Sequence, residues 1–174
     1  LGGFKKSHPF IKIMYWFEDF ALKKSDVIVS NLPNYGEHVR ELGISREFKW
    51  ISNGFALDSM NKVEKLPPDV RCKIPKNKFI VGYAGTIGVA NALDSFLESY
   101  SYIDNKDVCF VIVGDGQEKD RLVNKYYSES IIFIDSISKN KVQSMLQLFD
   151  VCGLGWKKEN LYKYGTSANK IFDY

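Results

Sequence analysis

The apolar positions along this chain follow two different rhythms. Four continuous apolar runs recur in its second half, at Phe79–Ala84, Val108–Val113, Ile131–Ile134 and Val151–Leu154. Continuous rather than alternating runs are how strands of a parallel sheet read when both faces are buried. Between them lie helix-spaced stripes: Leu93, Phe96, Leu97 and Tyr100; then Leu122, Val123 and Tyr126; then Val142, Met145, Leu146 and Phe149, with Ser138 placed to cap the last. Strand–helix alternation of this kind predicts βαβ units, hence an α/β fold with a Rossmann-like, doubly wound parallel sheet.

The first half is sparser. Ser7-His8-Pro9 predicts a helix start, and Phe10, Ile13, Met14, Phe17 and Ala21 follow helical spacing, with Lys23 and Lys24 near the C-terminal end. Asp26–Ser30 reads as a short strand, Tyr35–Leu42 as a helix stopped by Gly43 with Ile44 as its apolar contact, and Lys49-Trp50-Ile51 as a strand ending in the Asn53-Gly54 turn. Residues 58–78 are polar, with Pro67, Pro68 and Pro75, and predict a connection rather than a packed element. The division expected is therefore 1–54, a linker over 55–78, and 79–174.

Composition narrows the class without naming it. The chain has 174 residues, of which 45% are hydrophobic and 26% charged, enough for a real core. A net charge of +3 does not indicate a nucleic-acid partner. Three Cys, two His and no CxxC make a structural zinc site and a disulfide framework poor fits, and Cys109 and Cys152 lie inside apolar runs. A reducing, cytoplasmic setting is expected. No apolar run approaches the roughly 18 residues that span a bilayer. Leu1–Phe10 holds basic residues but no apolar stretch before a cleavage site. A start at Leu1 and a stop at Tyr174 inside a helical pattern suggest a piece of a longer protein.

In an open parallel sheet, ligands bind beyond the C-terminal ends of the strands. The candidates are therefore Gly85, Thr86 and Gly88 after the first run and Gly114, Asp115 and Gly116 after the second. Glycines there let backbone approach a diphosphate, and the following helix offers free N–H groups. A tight strand-to-helix turn without ligand explains the same glycines. The spacing is GxxGxxG rather than GxGxxG, although Asp115 could serve as the ribose acid of a nicotinamide enzyme, or simply cap its own turn. The segment Tyr164–Tyr174 combines a small polar turn with a helix start, for which Ser167 is a good N-cap. Lys170 and Asp173 share a helical face, suited to a phosphate and a ribose diol, or to a surface ion pair.

Taken in order, Ser25–Val29, Ile51-Ser52-Asn53-Gly54, Tyr83–Gly88, Val111–Gly116 and Ser167–Tyr174 resemble the retaining GT-B glycosyltransferases of family four, closest to the capsule and O-antigen type with an SPNKLFDY-like motif. The resemblance covers nearly the whole chain. It implies two Rossmann-like domains facing a cleft, with residues 1–54 the end of the acceptor domain and 79–174 a truncated nucleotide-sugar domain. It implies transfer of a sugar from a nucleotide-sugar, most simply a UDP-sugar, with retention and without a metal ion or other cofactor. The acceptor implied is a saccharide or polyprenyl-linked saccharide, in surface polysaccharide assembly. Gly85 and Thr86 would face the diphosphate, Gly114 to Gly116 the nucleoside, Asp173 the ribose, and Ser167, Asn169 and Lys170 the phosphate and sugar pocket.

The sequence departs from the family at two places. The first acid of the family's pair falls at Gly165, and the basic residues around the glycine loop fall at Thr86 and Asn91. Lys170 is the candidate to neutralise phosphate instead. A nicotinamide oxidoreductase and a non-catalytic nucleotide-binding module are the rival readings. The mixed basic and apolar stretch Lys5, Lys6, Phe10, Lys12, Ile13, Met14, Trp16 and Phe17 suits peripheral contact with an anionic membrane at the inner face of the plasma membrane, or a helix packed on its own domain. The fragment alone is expected to be inactive, with catalytic residues outside it.

Overall fold

A computed structural model of the chain describes residue 5 and residues 7–54, 62–158 and 160–174. The chain forms two compact units, one of Leu1–Asn53 with Glu159–Ala168 and one of Gly54–Lys158 with Asn169–Tyr174. The expected unbroken span 79–174 is thus interrupted, because residues 160–168 group with the first unit.

In the first unit, helix α1 (Pro9–Lys24) is capped by His8, whose Nδ1 accepts from Phe10 N at 3.2 Å. Strand β1 (Val27–Ser30) pairs in parallel with β2 (Glu47–Trp50), and α2 (Tyr35–Glu41) lies between them in sequence. Gly43 ends α2, and Ile44 N bonds Val39 O at 3.1 Å, so Ile44 joins Leu22, Ile28 and Val39 in a small core. The stripe read along α1 does not become the core. Ile11 and Leu22 are buried instead, while Phe10, Ile13, Met14 and Phe17 are exposed. The described part of the unit buries only Ile11 and Leu22 of that helix. Lys6, named with this stretch for membrane contact, lies outside the described residues. Among the described residues no helix is long and apolar enough to cross a membrane.

The second unit carries the parallel sheet. Strands β3 (Phe79–Ala84), β4 (Val108–Val113), β5 (Ile131–Ile134) and β6 (Val151–Cys152) stand in the order β5-β4-β3-β6, all parallel. Every residue of β4 is buried. Its alternate side chains feed two cores. Val108, Phe110 and Ile112 pack with Leu93 and Leu97 of α4 (Leu93–Glu98) and Leu122 of α5 (Lys119–Tyr126). Cys109, Val111 and Val113 pack with Met145 and Leu146 of α6 (Lys139–Leu146). Burial on both faces is why the strand reads as an unbroken apolar run.

The stretch expected as linker is partly a packed element. Pro68–Arg71 is a short helix (α3 in the chain order), Leu66 and Val70 pack against the second core, and Ile74 is buried in it. Residues 55–61 of the expected linker lie outside the described residues. Ser138 stands at the N-cap of α6 as expected, but its side chain makes no capping bond.

Helices α4 and α5 are joined by Asp94, which accepts from Arg121 Nη1 at 3.1 Å, from Lys125 Nζ at 3.2 Å and from Tyr126 Oη at 3.2 Å. The Arg121 bonds, opposed in part by burial and aided by Lys125 and Tyr126, hold the Asp94 carboxyl well below the usual carboxylate range. A depressed folded value stabilises the fold above the ordinary value near 4 and is lost as pH falls. Asp94→Asn should therefore lower the melting temperature by a few degrees at neutral pH, with the deficit steady down to about pH 5 and shrinking below it. The side chain is 41% exposed, so solvent screening keeps the effect modest. Circular dichroism melts across a pH series read this; a deficit that persists undiminished into strong acid contradicts it.

Candidate nucleotide-sugar site

The C-terminal ends of β3 and β4 are stitched together by backbone. Gly85 N donates to Val113 O at 2.9 Å, Ile87 N to Asp115 O at 2.8 Å, and Glu118 N to Ile87 O at 3.1 Å. The two loops touch so closely that a Cβ on Gly114 would overlap Gly85 O, and one on Gly116 would overlap Ile87 O. Tyr83 at the end of β3 donates its hydroxyl to Thr86 O at 2.6 Å, and Asn91 Nδ2 donates to the same oxygen at 2.9 Å. Asn91, where the sequence resemblance leads one to expect a basic residue, thus holds the glycine loop in shape.

The last helix, α7 (Lys170–Asp173), is fixed on the same sheet edge. Gln143 Nε2 of α6 donates to Asp173 O at 2.8 Å. Tyr174 Oη donates to Gly153 O at 3.1 Å and accepts from Ala84 N at 3.4 Å. Burial pushes the Tyr174 phenol up to about 12, so it stays a neutral donor.

Between these loops and α7 lies an open cleft of about 380 Å³. It is bordered by Gly85 and Thr86, by Gly114 and Asp115, and by Asn169, Lys170 and Asp173. Most of the residues singled out from sequence therefore meet in one place. Asp115 uses its Oδ1 to accept from Gly116 N at 2.8 Å, the capped-turn role. Gly116 lies against Ile87 and Gly88 lines a neighbouring cleft. Ser136, Ile137 and Val142 also border the cleft and were not singled out. Their signal was position: Ser136 and Ile137 follow the end of β5, another strand end of the same sheet.

Ser167 is placed elsewhere. It belongs to the first unit, where Asn53 N donates to its Oγ at 3.2 Å and Asn53 Nδ2 to its carbonyl at 2.6 Å. It does not cap the last helix either; Asn169 occupies that position, without a side-chain capping bond. Gly165, at the family's first-acid position, also lies in the first unit, where a Cβ would sit 2.6 Å from Pro33 Cγ. The preceding Tyr164 is anchored there as well, donating to Glu41 Oε2 at 2.6 Å and accepting at its carbonyl from Asn34 N at 2.9 Å.

Lys170 is the main electrostatic feature of the cleft. Its Nζ lies 5.2 Å from the centre of the Tyr83 ring, and its stem crosses the space that Gly85 leaves by having no Cβ. Burial pushes its ammonium down, with Asp173 opposing in part. Among the described residues it makes no ion pair within 4.0 Å. A half-buried cation beside a glycine loop is suited to hold phosphate oxygens.

No protein-family model matches the chain, and no curated protein does. Solved structures do match. WaaG, a glycosyltransferase involved in lipopolysaccharide biosynthesis, superposes with a TM-score of 0.63 at 11% identity over 88% of this chain and 45% of that one. Sucrose-phosphate synthase from Thermosynechococcus elongatus gives 0.63 at 15% identity, over 87% and 40%. HepE of Anabaena, in complex with UDP and glucose, gives 0.58 at 15% identity, over 81% and 41%. The chain spans less than half the length of these proteins. Together with the parallel sheets, they show a Rossmann-like α/β fragment of the GT-B type.

Proposed function

We propose that the chain is part of a GT-B glycosyltransferase and that the 380 Å³ cleft holds the diphosphate and nucleoside of a nucleotide-sugar donor. One observation carries the reading: the half-buried ammonium of Lys170, free of any acidic partner in ion-pair range among the described residues, in a cleft walled by the backbone of two glycine turns. The HepE structure with UDP and glucose favours UDP as the nucleotide. In this reading Lys170 supplies the counter-charge that a metal ion supplies elsewhere, Asn169 and Thr86 add hydrogen bonds, and Asp173 accepts from the ribose diol. The leaving diphosphate is then stabilised by charge and backbone already in place.

The finer features follow the sequence resemblance. We propose retention at the anomeric carbon, a saccharide or polyprenyl-linked acceptor, and work in surface polysaccharide assembly on the cytoplasmic side of the membrane. The exposed Trp16, Phe17 and Phe20 of α1 support a peripheral contact with that membrane.

Calorimetric titration of UDP, GDP and NAD tests the donor assignment. UDP should bind most tightly, and Asp173→Ala should weaken it about tenfold, the loss of one charge-assisted bond to the ribose. Binding of NAD without UDP or GDP would overturn the reading.

A further inference from the structure

Strand β6 pairs with β3 over only two residues, and a side chain stands where its next rung would be. The register Val81↔Val151 and Gly82↔Cys152 brings Gly153 N to Gly82 O, at 2.7 Å. In a parallel ladder the following rung would run from Ala84 N to Gly153 O. Both groups reach the Tyr174 hydroxyl: Ala84 N donates to it at 3.4 Å, and it donates to Gly153 O at 3.1 Å. One phenol oxygen thus serves a donor and an acceptor at the open end of the sheet.

The same phenol holds a helix. The four residues of α7 make a single turn, too short to be stable alone, and none of them is buried. Ile171 and Phe172 are exposed, so apolar packing does little to fix the turn. Its place is set by polar ties at its C-terminal end: Gln143 Nε2 to Asp173 O at 2.8 Å, and the Tyr174 hydroxyl. Tyr174 N also donates to Lys170 O at 2.9 Å, so phenol and ammonium stand at the two ends of one hydrogen-bonded turn. One end is seated on Ala84. The other lays the Lys170 stem over Gly85, the next residue of the chain.

We infer that Tyr174 is a positioning residue: its hydroxyl, standing in for the next β3–β6 rung, sets α7 so that the Lys170 ammonium lies over the glycine loop. That this ammonium meets a phosphate rests on the donor reading above; the positioning does not. The role requires a neutral hydroxyl. Phenylalanine fills the same space but bonds neither Ala84 nor Gly153, and a phenolate accepts from Ala84 but has no proton for Gly153.

The test is nuclear magnetic resonance of the chain carrying ¹³C-labelled lysine and tyrosine, with Lys170 assigned by Lys170→Met and Tyr174 from its sequential neighbours. In the parent chain the Tyr174 phenol should still be protonated at about pH 10.5, above the ordinary tyrosine value of 10.0. The Lys170 ammonium should titrate below its ordinary 10.5 in the parent and move back up in Tyr174→Phe, as α7 loosens and water reaches it. A melt confirms that the variant is folded at the temperature used. By calorimetry Tyr174→Phe should bind UDP about tenfold more weakly than the parent. In a Lys170→Met background the same change should cost no more than about threefold, because both act through one group. The inference is overturned if Tyr174 ionises at its ordinary value in the parent, or if a folded Tyr174→Phe leaves the Lys170 titration where it was. Equal losses of UDP affinity in the two backgrounds would also overturn it, since Tyr174 would then act on the fold alone. A parent chain that ignores UDP would remove the donor reading, and the two titrations would still decide the positioning role.

Discussion

Gly114→Ala should be among the most damaging single substitutions in the second unit. Two costs add at this position. The residue has φ +150°, a conformation that side chains rarely adopt, and an added Cβ would lie inside the contact distance of Gly85 O and 3.0 Å from Gly85 C. Strain of the first kind and overpacking of the second are each of order 1–3 kcal/mol. Gly85 cannot retreat freely, because its N–H is bonded to Val113 O at 2.9 Å and Lys170 fills the space above it. Against a domain stability of about 5–15 kcal/mol, a fall in melting temperature of roughly 10 °C or more is expected. Gly43→Ala is the control. Its φ of +72° carries the conformational cost, but nothing lies within 4 Å of a Cβ there, so about 1 kcal/mol should be lost. The same substitution at Gly114 should also weaken UDP, since the carbonyl that must move belongs to the cleft proposed to hold the donor. Equal melting temperatures for the two alanine variants would show that the loops are not in backbone contact.

This packing explains what could be read in the sequence. Strands β3, β4 and β5 fall where their apolar runs predict, because a parallel strand buried on both faces has no polar positions to blur its ends. The run Val151–Leu154 overreaches: β6 pairs only at Val151 and Cys152, on an edge where one neighbour supplies the ladder. The helix stripe of α1 fixes the helix but not its buried face, since periodicity marks a stripe and only tertiary neighbours decide what covers it. Proline and charge in 62–78 conceal Leu66, Val70 and Ile74, whose contacts lie across the sheet.

The cleft was legible for a topological reason, as strand ends in an open sheet gather at one edge. Ile137 and Val142 carry no chemical signature of a site, and Val142 reads in the sequence only as part of the α6 stripe. Ser167 was drawn into the cleft by its position before a helix. Its actual partner is Asn53, 114 residues away, and a pairing of that range leaves no local pattern. Gly165 follows the same logic: a Cβ there would lie 2.6 Å from Pro33 Cγ, a contact that the sequence around Gly165 does not reveal.

Lys170→Met should stabilise the free protein slightly while weakening UDP binding about 10- to 100-fold, the range of one or two charge-assisted bonds to a diphosphate. The opposite signs follow from the same burial. Desolvation lowers the ammonium's proton affinity in the folded chain relative to its ordinary value of 10.5. A lysine shifted downward opposes folding at every pH where the unfolded side chain is charged, and the penalty is relieved only as pH rises through the folded value. Methionine keeps the apolar stem that lies near the Tyr83 ring and fills the space over Gly85, so the fold loses little packing and sheds the desolvation cost. A diphosphate, in contrast, finds in the wild-type cleft a cation that water and neighbouring carboxylates do not fully satisfy, and gains more from it than from an exposed lysine. Thermal melts and UDP calorimetry on the one variant read both effects. A variant that melts lower and binds UDP unchanged would make Lys170 a structural residue and leave the cleft without its counter-charge.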